Sequence, residues 1–470
     1  MSAPMIAMWR SNSKKNWSCL KRLISQMSCR RYCNRNILIL HERGIFQNIF
    51  PAERSPDLHS LLVKSPQTIY AGFDPTSDSL HIGNLLVIMS LIHCQRAGHT
   101  PLALVGGATA MIGDPSGKTK DRRAMNIDEL AENSSGIQST LQRIFKHHSD
   151  IMWRKDLPAP VVLNNAEWYS STNVIEFLSN VGRNFRMGDM LRKDSVKSRL
   201  DTAEGMSLTE FTYQVFQAND WLHLYNNYKC KIQIGGNDQL GNITAGYELI
   251  KRVKNESVFG LTVPLIVTSS GEKFGKTAGN AIWLDRSKTS IFDFYQYFIN
   301  TPDSDVAARL KSFTFLPENE IKDVLDRHKK SPESRIAQKK LAEQVTILVH
   351  SDEGLQSAKR CTHVLYNSSP ESLAELTEAE IEDVFKGATK MELLLQPGMT
   401  LIDVVMKAKI LGRAREVDAI QVINGGGLYV NFRRITNPDA AFIPGEHILH
   451  AGFTVIRAGK KRVFLIQWIR

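Results

Sequence analysis

Residues 67–114 carry the pattern that most restricts the fold. "QTIYAGFDPT" reads as a strand from Thr68 to Phe73 ending in an Asp-Pro turn. "SLHIGNLLVIMSLIHCQRAG" follows as a helix, with Leu85, Ile88, Met89 and Ile92 at helical spacing and Gly98 closing it. "TPLALVGGATAMIGD" is a second strand and its loop. A strand, a covering helix and a strand make a βαβ unit with a parallel sheet. In such sheets ligands sit beyond the carboxyl ends of the strands, where "FDPT" and "GGAT" both fall. Further on, "KIQIGGNDQLGN" reads as a strand running into a glycine-rich turn, and "VPLIVTSSGEKFGKT" as a strand and a basic loop. Residues 128–230 are mainly helical in pattern, with Trp153, Trp168 and Phe177 as packing residues.

The run "GDPSGKT" imitates a nucleotide-binding P-loop and fails its test. A P-loop places four residues between its first glycine and Gly-Lys-Ser/Thr, so that successive N–H groups curl around phosphates. Here Gly113 is followed by only Asp114, Pro115 and Ser116 before Gly117. Pro115 removes a donor where every N–H is wanted, and Asp114 adds a negative charge.

Charge is distributed unevenly. Residues 1–50 hold nine Lys/Arg and one acid, Glu42; the remaining chain has 50 basic against 47 acidic residues. Leu20, Leu23, Ile24 and Met27 share one helical face beside Lys21 and Arg22. This is the composition of a mitochondrial transit peptide; a basic nucleic-acid-binding arm is the alternative. From Pro397 to the C-terminus there are eleven Lys/Arg and five Asp/Glu, which suits an enzyme holding a polyanion by its tail, or a solvated basic surface. The longest apolar runs are too short to cross a membrane, which points to a soluble protein with no membrane partner. Six cysteines without a CxxC pair, and no His/Cys cluster at zinc spacing, argue against a disulfide framework and a structural metal.

Ser290 to about Phe385 is helical and highly charged, and "NSSPESLAELTEAEIED" (367–383) reads as a linker and helix start. "LIDVVMKAKILGRAREVDAIQVINGGGLYVN" then gives two helices and a glycine turn into a strand, opening a small α+β module.

Two short motifs bracket the sheet region. His81-Ile82-Gly83-Asn84 opens the first helix, where a histidine, backbone N–H groups and the helix dipole all favour phosphate. Gly83 leaves room for a flat base against the backbone. Lys273-Phe274-Gly275-Lys276-Thr277 follows about 190 residues later, with two lysines on a glycine-containing loop.

With these motifs, "YAGFDPTSDSLHIGN", "GGATAMIGDPSGK", "SLTEFTYQVFQANDW", "IQIGGNDQLGNITAG" and "KFGKTAGNAIWLD" closely resemble bacterial-type tyrosyl-tRNA synthetases, class I aminoacyl-tRNA synthetases. The resemblance covers about residues 51–320 and, more loosely, the C-terminal module. It implies an α/β Rossmann-like parallel-sheet catalytic domain, an α-helical anticodon-binding domain and a small α+β RNA-binding module. The expected boundaries are 1–50 for the leader, 51–285, 286–385 and 386–470. With the leader, the chain looks like the mitochondrial form, located in the matrix.

The resemblance implies a two-step reaction in which MgATP activates L-tyrosine and tRNA(Tyr) receives it, with no tightly bound cofactor. Tyr70 and Asp220 match the family pair that bonds the phenol hydroxyl of the substrate. Tyr213, Gln217 and Asp220, at i, i+4 and i+7, share one helical face. By resemblance Tyr213 and Gln217 join Asp114 around the amino group of tyrosine, with Gln233 and Gln239 near the same ligand. Gly236 and Asp238 meet the ATP ribose. Asp74, Thr76, His81, Gly83 and Asn84 face ATP, and Lys273 and Lys276 bring charge to its phosphates. Thr76, His81, Asn84 and the two lysines are the catalytic candidates. Asn84 departs from the usual final histidine, and Ala71 stands where some relatives carry a cysteine that contacts the ribose.

Arg413, Arg415, Arg433, Arg434, Lys460 and Lys461 are candidate phosphate contacts for RNA. "GRAREVDAIQVINGGGLYVN" loosely resembles an RNA-binding module first known from a small-subunit ribosomal protein. Relatives are homodimers, and residues 165–200 are the expected interface. Two other readings stay open here: another synthetase of the same fold, such as the tryptophan enzyme, and a non-catalytic RNA-binding protein.

Overall fold

The computed structural model describes residues 35–116, 125–153, 156–265, 281–367, 369–412, 414–459 and 462–469. The leader to residue 34 and Lys118, Thr119, Lys273, Lys276, Arg413, Lys460 and Lys461 lie outside the described residues. Two compact units result, one of residues up to Thr289 with Phe298–Val349, the other of Ser290–Tyr297 with His350–Arg470. This division runs through the 286–385 stretch that reads as one helical piece in the sequence.

The first unit is built on a six-stranded sheet: β1 (Asn48–Phe50), β2 (Thr68–Phe73), β3 (Thr100–Val105), β4 (Val161–Asn164), β5 (Ile232–Gly236) and β6 (Phe259–Val263), in the order β1-β6-β5-β2-β3-β4. All neighbours are parallel except β1, an antiparallel edge strand on β6. The expected βαβ unit is present, with α1 (Ile82–Arg96) linking β2 and β3. Its Leu85, Leu86, Ile88, Met89, Leu91 and Ile92 are all buried, so this helix is apolar almost all round and lies in the core. Three further helices connect the strands: α2 (Ile127–His147), α3 (Leu208–Tyr228) and α4 (Leu240–Lys254).

The 128–230 stretch is mainly helical, as the sequence suggests, and also holds a strand the sequence did not announce, "VVLN", which forms β4 beside β3. Two sequence readings are corrected. β6 ends at Val263, earlier than "VPLIV" suggests; Pro264 has no N–H for the ladder. Residues 35–50 belong to the folded body and not to a leader. Ile37, Leu38, Ile45 and Phe46 are buried, and Asn48–Phe50 pairs with β6. Arg43, counted with the basic leader, donates to the carbonyls of Lys311 (3.0 Å), Leu316 (2.7 Å) and Thr314 (2.7 Å). Those groups end the helix Asp303–Phe313 and the turn after it, where carbonyls lack helical partners.

Within the second unit, α5 (Leu401–Lys407) and α6 (Glu416–Asn424) lead through Gly425–Gly427 into the strand Leu428–Val430, as the sequence suggests. The sheet has β7 (Thr389–Leu394), β8 (Leu428–Val430), β9 (Arg433–Ile435), β10 (Phe453–Ala458) and β11 (Arg462–Ile469), in the order β7-β11-β10-β8-β9. Val404, Val405, Ile410, Ala419, Ile423, Leu428, Ile456 and Ile466 close its core. No helix of the described residues is long and apolar enough to cross a membrane.

Candidate active site

The strand order changes direction between β2 and β5: β2, β3 and β4 run one way across the sheet, β5 and β6 the other. Ligands of open parallel sheets bind at such a switch point. Tyr70 on β2 is in register with Gln233 on β5, directly across it. On the face of Tyr70, two residues on, Gly72 is exposed, and a Cβ placed there meets nothing within 4 Å. Tyr70 Oη, Gln233 Oε1 and Gln217 Oε1 are buried side-chain atoms with no hydrogen-bond partner among the described residues. Buried polar atoms are almost always paired, so such orphans mark candidate places for a polar ligand.

Asp220, on α3, is 2% exposed and is held at both oxygens: Asn165 Nδ2 donates to Oδ2 and Trp168 Nε1 to Oδ1, each at 3.0 Å. Burial pushes this carboxyl up to about 7, against the pull of its hydrogen bonds. Burial, with the Asp220 charge adding to it, raises the Tyr70 phenol well above its usual range. A buried acceptor and a buried phenol oxygen suit a ligand hydroxyl that donates to one and accepts from the other.

Asp74 follows the end of β2. Its Oδ1 accepts from Thr109 Oγ1 and its Oδ2 from Tyr213 Oη, both at 2.8 Å. The Thr76 N–H donates to the Asp74 carbonyl (2.8 Å) and closes the Asp-Pro turn. Asp114 is buried, accepting from Gln239 Nε2 (2.6 Å) and the Ser116 N–H (2.9 Å), with Asn242 Nδ2 at 3.4 Å. Tyr213 is thus hydrogen-bonded to Asp74, and Gln239 to Asp114; Gln217 lies one helical turn on from Tyr213. Gly236 precedes the short turn carrying Asp238, and a Cβ at Gly236 would stand 2.6 Å from Asp238 Oδ1.

His81 is the N-cap of α1, and it corrects one expectation. Its Nδ1 accepts from the Gly83 N–H (3.0 Å), and Asn84 Oδ1 accepts from the His81 N–H (3.1 Å), a reciprocal capping box. The N–H groups of Asn84 and Leu85 turn to the His81 carbonyl, and that of Ile82 to the Ile282 carbonyl (2.9 Å). The first four N–H groups of the helix are therefore used within the protein, and phosphate cannot be met by them as the sequence reading supposes. The imidazole can still act: with Nδ1 accepting, the neutral ring carries its proton on Nε2. Asn84 meets the cap with its amide oxygen, which assigns its N–H₂ end as the donor side.

The residues after the lysine loop return to this helix start. Ile82 donates to Ile282, Leu284 to Leu80 (2.8 Å), and the Asp285 N–H to Ser79 Oγ (3.2 Å). His81 and Trp283 form a β-bridge with their rings 6.0 Å apart. The chain described from residue 281 onward thus meets the start of α1 at the "HIGN" motif.

In the C-terminal unit the described arginine candidates are engaged. Arg415 pairs with Asp418 (3.1 Å), and Arg433 with Glu371 (3.0 Å) and Glu446 (3.7 Å). Arg434 donates to the carbonyls of Gly426 (3.0 Å) and Gly425 (2.9 Å).

Sequence reasoning missed Asn165, Thr109 and Asn242, and took Trp168 for packing alone. The available signal was "LNN" closing an apolar run, since side-chain amides at a strand end of a parallel sheet stand where ligands bind.

The family described as "tRNA synthetases class I (W and Y)" matches residues 63–367, and the "Tyrosine--tRNA ligase SYY-like C-terminal domain" matches residues 380–466. These matches and the switch-point site define a class I synthetase catalytic domain with a C-terminal domain. The mitochondrial tyrosine–tRNA ligase of Drosophila melanogaster is 49% identical over 459 residues, 96% of this chain and 98% of that protein. The human mitochondrial enzyme is 45% identical over 434 residues, 91% of each. A truncated mitochondrial tyrosyl-tRNA synthetase from Aspergillus nidulans superposes with a TM-score of 0.65 at 31% identity, covering 76% of this chain and 99% of that one. The chain belongs to the tyrosyl-tRNA synthetase family.

Proposed function

We infer that the protein joins L-tyrosine to tRNA(Tyr) at the expense of ATP, for mitochondrial translation. The observation that carries this reading at the site is the buried pair Tyr70 and Asp220, taken as the closed end of the tyrosine site, with the unpartnered side-chain oxygens of Gln217 and Gln233. A phenol hydroxyl satisfies that closed end; the phenyl ring of phenylalanine leaves a buried acceptor unpaired. That contrast gives strong discrimination without editing, and tyrosyl-tRNA synthetase is itself the reference case for this principle.

In the first step the tyrosine carboxylate attacks the α-phosphate of MgATP and pyrophosphate leaves. The chain supplies position and charge in place of an acid–base pair. Asp114 and Gln239, with Tyr213 and Gln217, hold the ammonium and carboxylate end of tyrosine. Asp74, Thr76, Gly83, Gly236 and Asp238 hold ATP, with Mg²⁺ arriving on its phosphates. His81 Nε2–H, Asn84 and the lysines Lys273 and Lys276 stabilise the charge that develops there. In the second step the terminal ribose hydroxyl of tRNA attacks the tyrosyl-adenylate.

The stretch 286–385 and the module 386–470 hold tRNA, with Arg413, Arg415, Arg433, Arg434, Lys460 and Lys461 as phosphate contacts. The acid pairs of Arg415 and Arg433 are exposed, and a phosphate can displace such partners at little cost. Residues 1–34 act as the targeting leader to the matrix. The enzyme works as a homodimer through residues 165–200, where Val174 (65% exposed), Ile175 (69%) and Leu178 (56%) stand in water on one short helix.

Tyrosine-dependent exchange of pyrophosphate into ATP tests the reading. Exchange driven by tryptophan, or by no amino acid, overturns it.

A further inference from the structure

The "GGAT" segment has no part in the reaction as described, yet its four residues build one arrangement. A Cβ at Gly106 would stand 2.0 Å from Asp74 Oδ1 and 2.4 Å from Thr109 Oγ1. One at Gly107 would stand 2.4 Å from Asn164 Oδ1. The Ala108 N–H donates to Asn165 Oδ1 (2.7 Å). Thr109 Oγ1 donates to Asp74 Oδ1 (2.8 Å) and accepts from Asn165 Nδ2 (3.0 Å), and Asn165 Nδ2 also donates to Asp220 Oδ2 (3.0 Å). Thr109 is 3% exposed and Asn165 is fully buried.

The chemistry of each link fixes its direction. Asp220 can only accept while ionised, so Asn165 must present its N–H₂ there, and the Ala108 N–H requires the amide oxygen on the other side. Both amide hydrogens of Asn165 are then used, one on Asp220 and one on Thr109. The Thr109 hydroxyl takes that hydrogen on a lone pair and gives its own proton to Asp74. A hydroxyl is the smallest group that does both, and the β-branched methyl restricts its rotamer.

We propose that Thr109 is a positioning residue that couples Asp74, on the ATP side of the site, to Asp220, which selects the tyrosine hydroxyl, through Asn165. This rests on the roles given above to those two carboxylates. Displacement of either carboxylate reorients a hydrogen bond at the other, so amino-acid selection and ATP use respond together to a change at a residue that touches neither substrate.

The test compares Thr109→Val, Thr109→Ser and Asn165→Ala in pyrophosphate exchange with tyrosine and with phenylalanine. Thr109→Val keeps the shape and loses both hydrogen bonds. It is expected to lower the tyrosine-to-phenylalanine ratio of kcat/KM by about tenfold and to raise the KM for ATP several-fold, with Thr109→Ser within about threefold of wild type on both. Asn165→Ala, cut from the other side, is expected to move both readouts as well, which keeps the test open should Thr109→Val fold poorly. Equal loss toward both amino acids with an unchanged ratio, or a serine variant as impaired as valine, overturns the coupling and leaves a packing role. So does an Asn165→Ala variant with altered discrimination and unchanged KM for ATP. Asp220→Asn with unaltered discrimination overturns the pocket reading and the coupling with it. Altered discrimination in Asp220→Asn beside an unaltered ratio in Thr109→Val overturns the coupling alone.

Discussion

The Tyr213 hydroxyl donates to Asp74 Oδ2 at 2.8 Å, tying the long helix α3 to the carboxyl end of β2. Tyr213 is 5% exposed, so the bond is shielded from water. Tyr213→Phe keeps the ring and removes one donor to a carboxylate. It should reduce kcat/KM for tyrosine activation by about tenfold, as pyrophosphate exchange will read.

Asp220 gives the site a pH signature. The folded protein holds this proton up to about pH 7, whereas the unfolded chain releases it near its ordinary value of 3.8. The native state therefore carries the extra proton between those values, and the contribution to stability falls as pH rises through that window. Tyrosine binding runs the other way, because the carboxylate is the acceptor. The KM for tyrosine should fall as pH rises toward and past 7, and Asp220→Asn should flatten that limb of the profile; a limb that survives in the variant assigns it to another group.

Arg199 and Glu210 form a buried ion pair, 0% and 4% exposed at 2.9 Å, between the helix Asp194–Leu200 and the first turn of α3. Removing one member leaves the other charged and buried. Glu210→Ala should lower stability by about 3 kcal/mol, seen as a reduced midpoint in thermal or urea unfolding.

The folded body begins before residue 51. A chain starting at residue 51 loses β1, the buried Ile37, Leu38, Ile45 and Phe46, and the three hydrogen bonds of Arg43. It should express poorly and unfold at much lower temperature than a chain starting at residue 35, in a side-by-side melting experiment. Equal melting of the two chains contradicts this.

Ile175 and Val174 are exposed on a short helix within the proposed dimer segment. If residues 165–200 form the proposed homodimer interface, Ile175→Glu should yield a monomer in light scattering at micromolar protein where the parent chain is a dimer, with loss of tRNA charging; a parent chain that is itself monomeric contradicts the proposal.

The sequence made the centre of the sheet readable and its margins obscure. α1 and the strands on either side of it announce themselves by an apolar run at helical spacing between two short runs rich in branched residues. β4 does not, because four residues with no buried member give neither alternation nor an apolar block inside a helical neighbourhood. That loss carried others with it: Asn165 meets Thr109 and Asp220 only once β4 is laid against β3, a non-local pairing that local spacing cannot express. Tyr213, Gln217 and Asp220 were legible as one polar face because they lie on a single helix. Their partners lie on other elements. At "HIGN" three of the four N–H groups are taken by His81 itself through local capping, and only that of Ile82 by a carbonyl far along the chain, at Ile282.

That last contact bears on when the enzyme can first become active. The start of α1 is completed by a carbonyl about 200 residues downstream, and Leu80 and Ser79 wait on the same segment. Closing so long a loop is slow, and it comes after local helices have formed. A nascent chain emerging from the ribosome can build α1 early, but it holds an unfinished "HIGN" corner until residue 285 is clear of the exit tunnel.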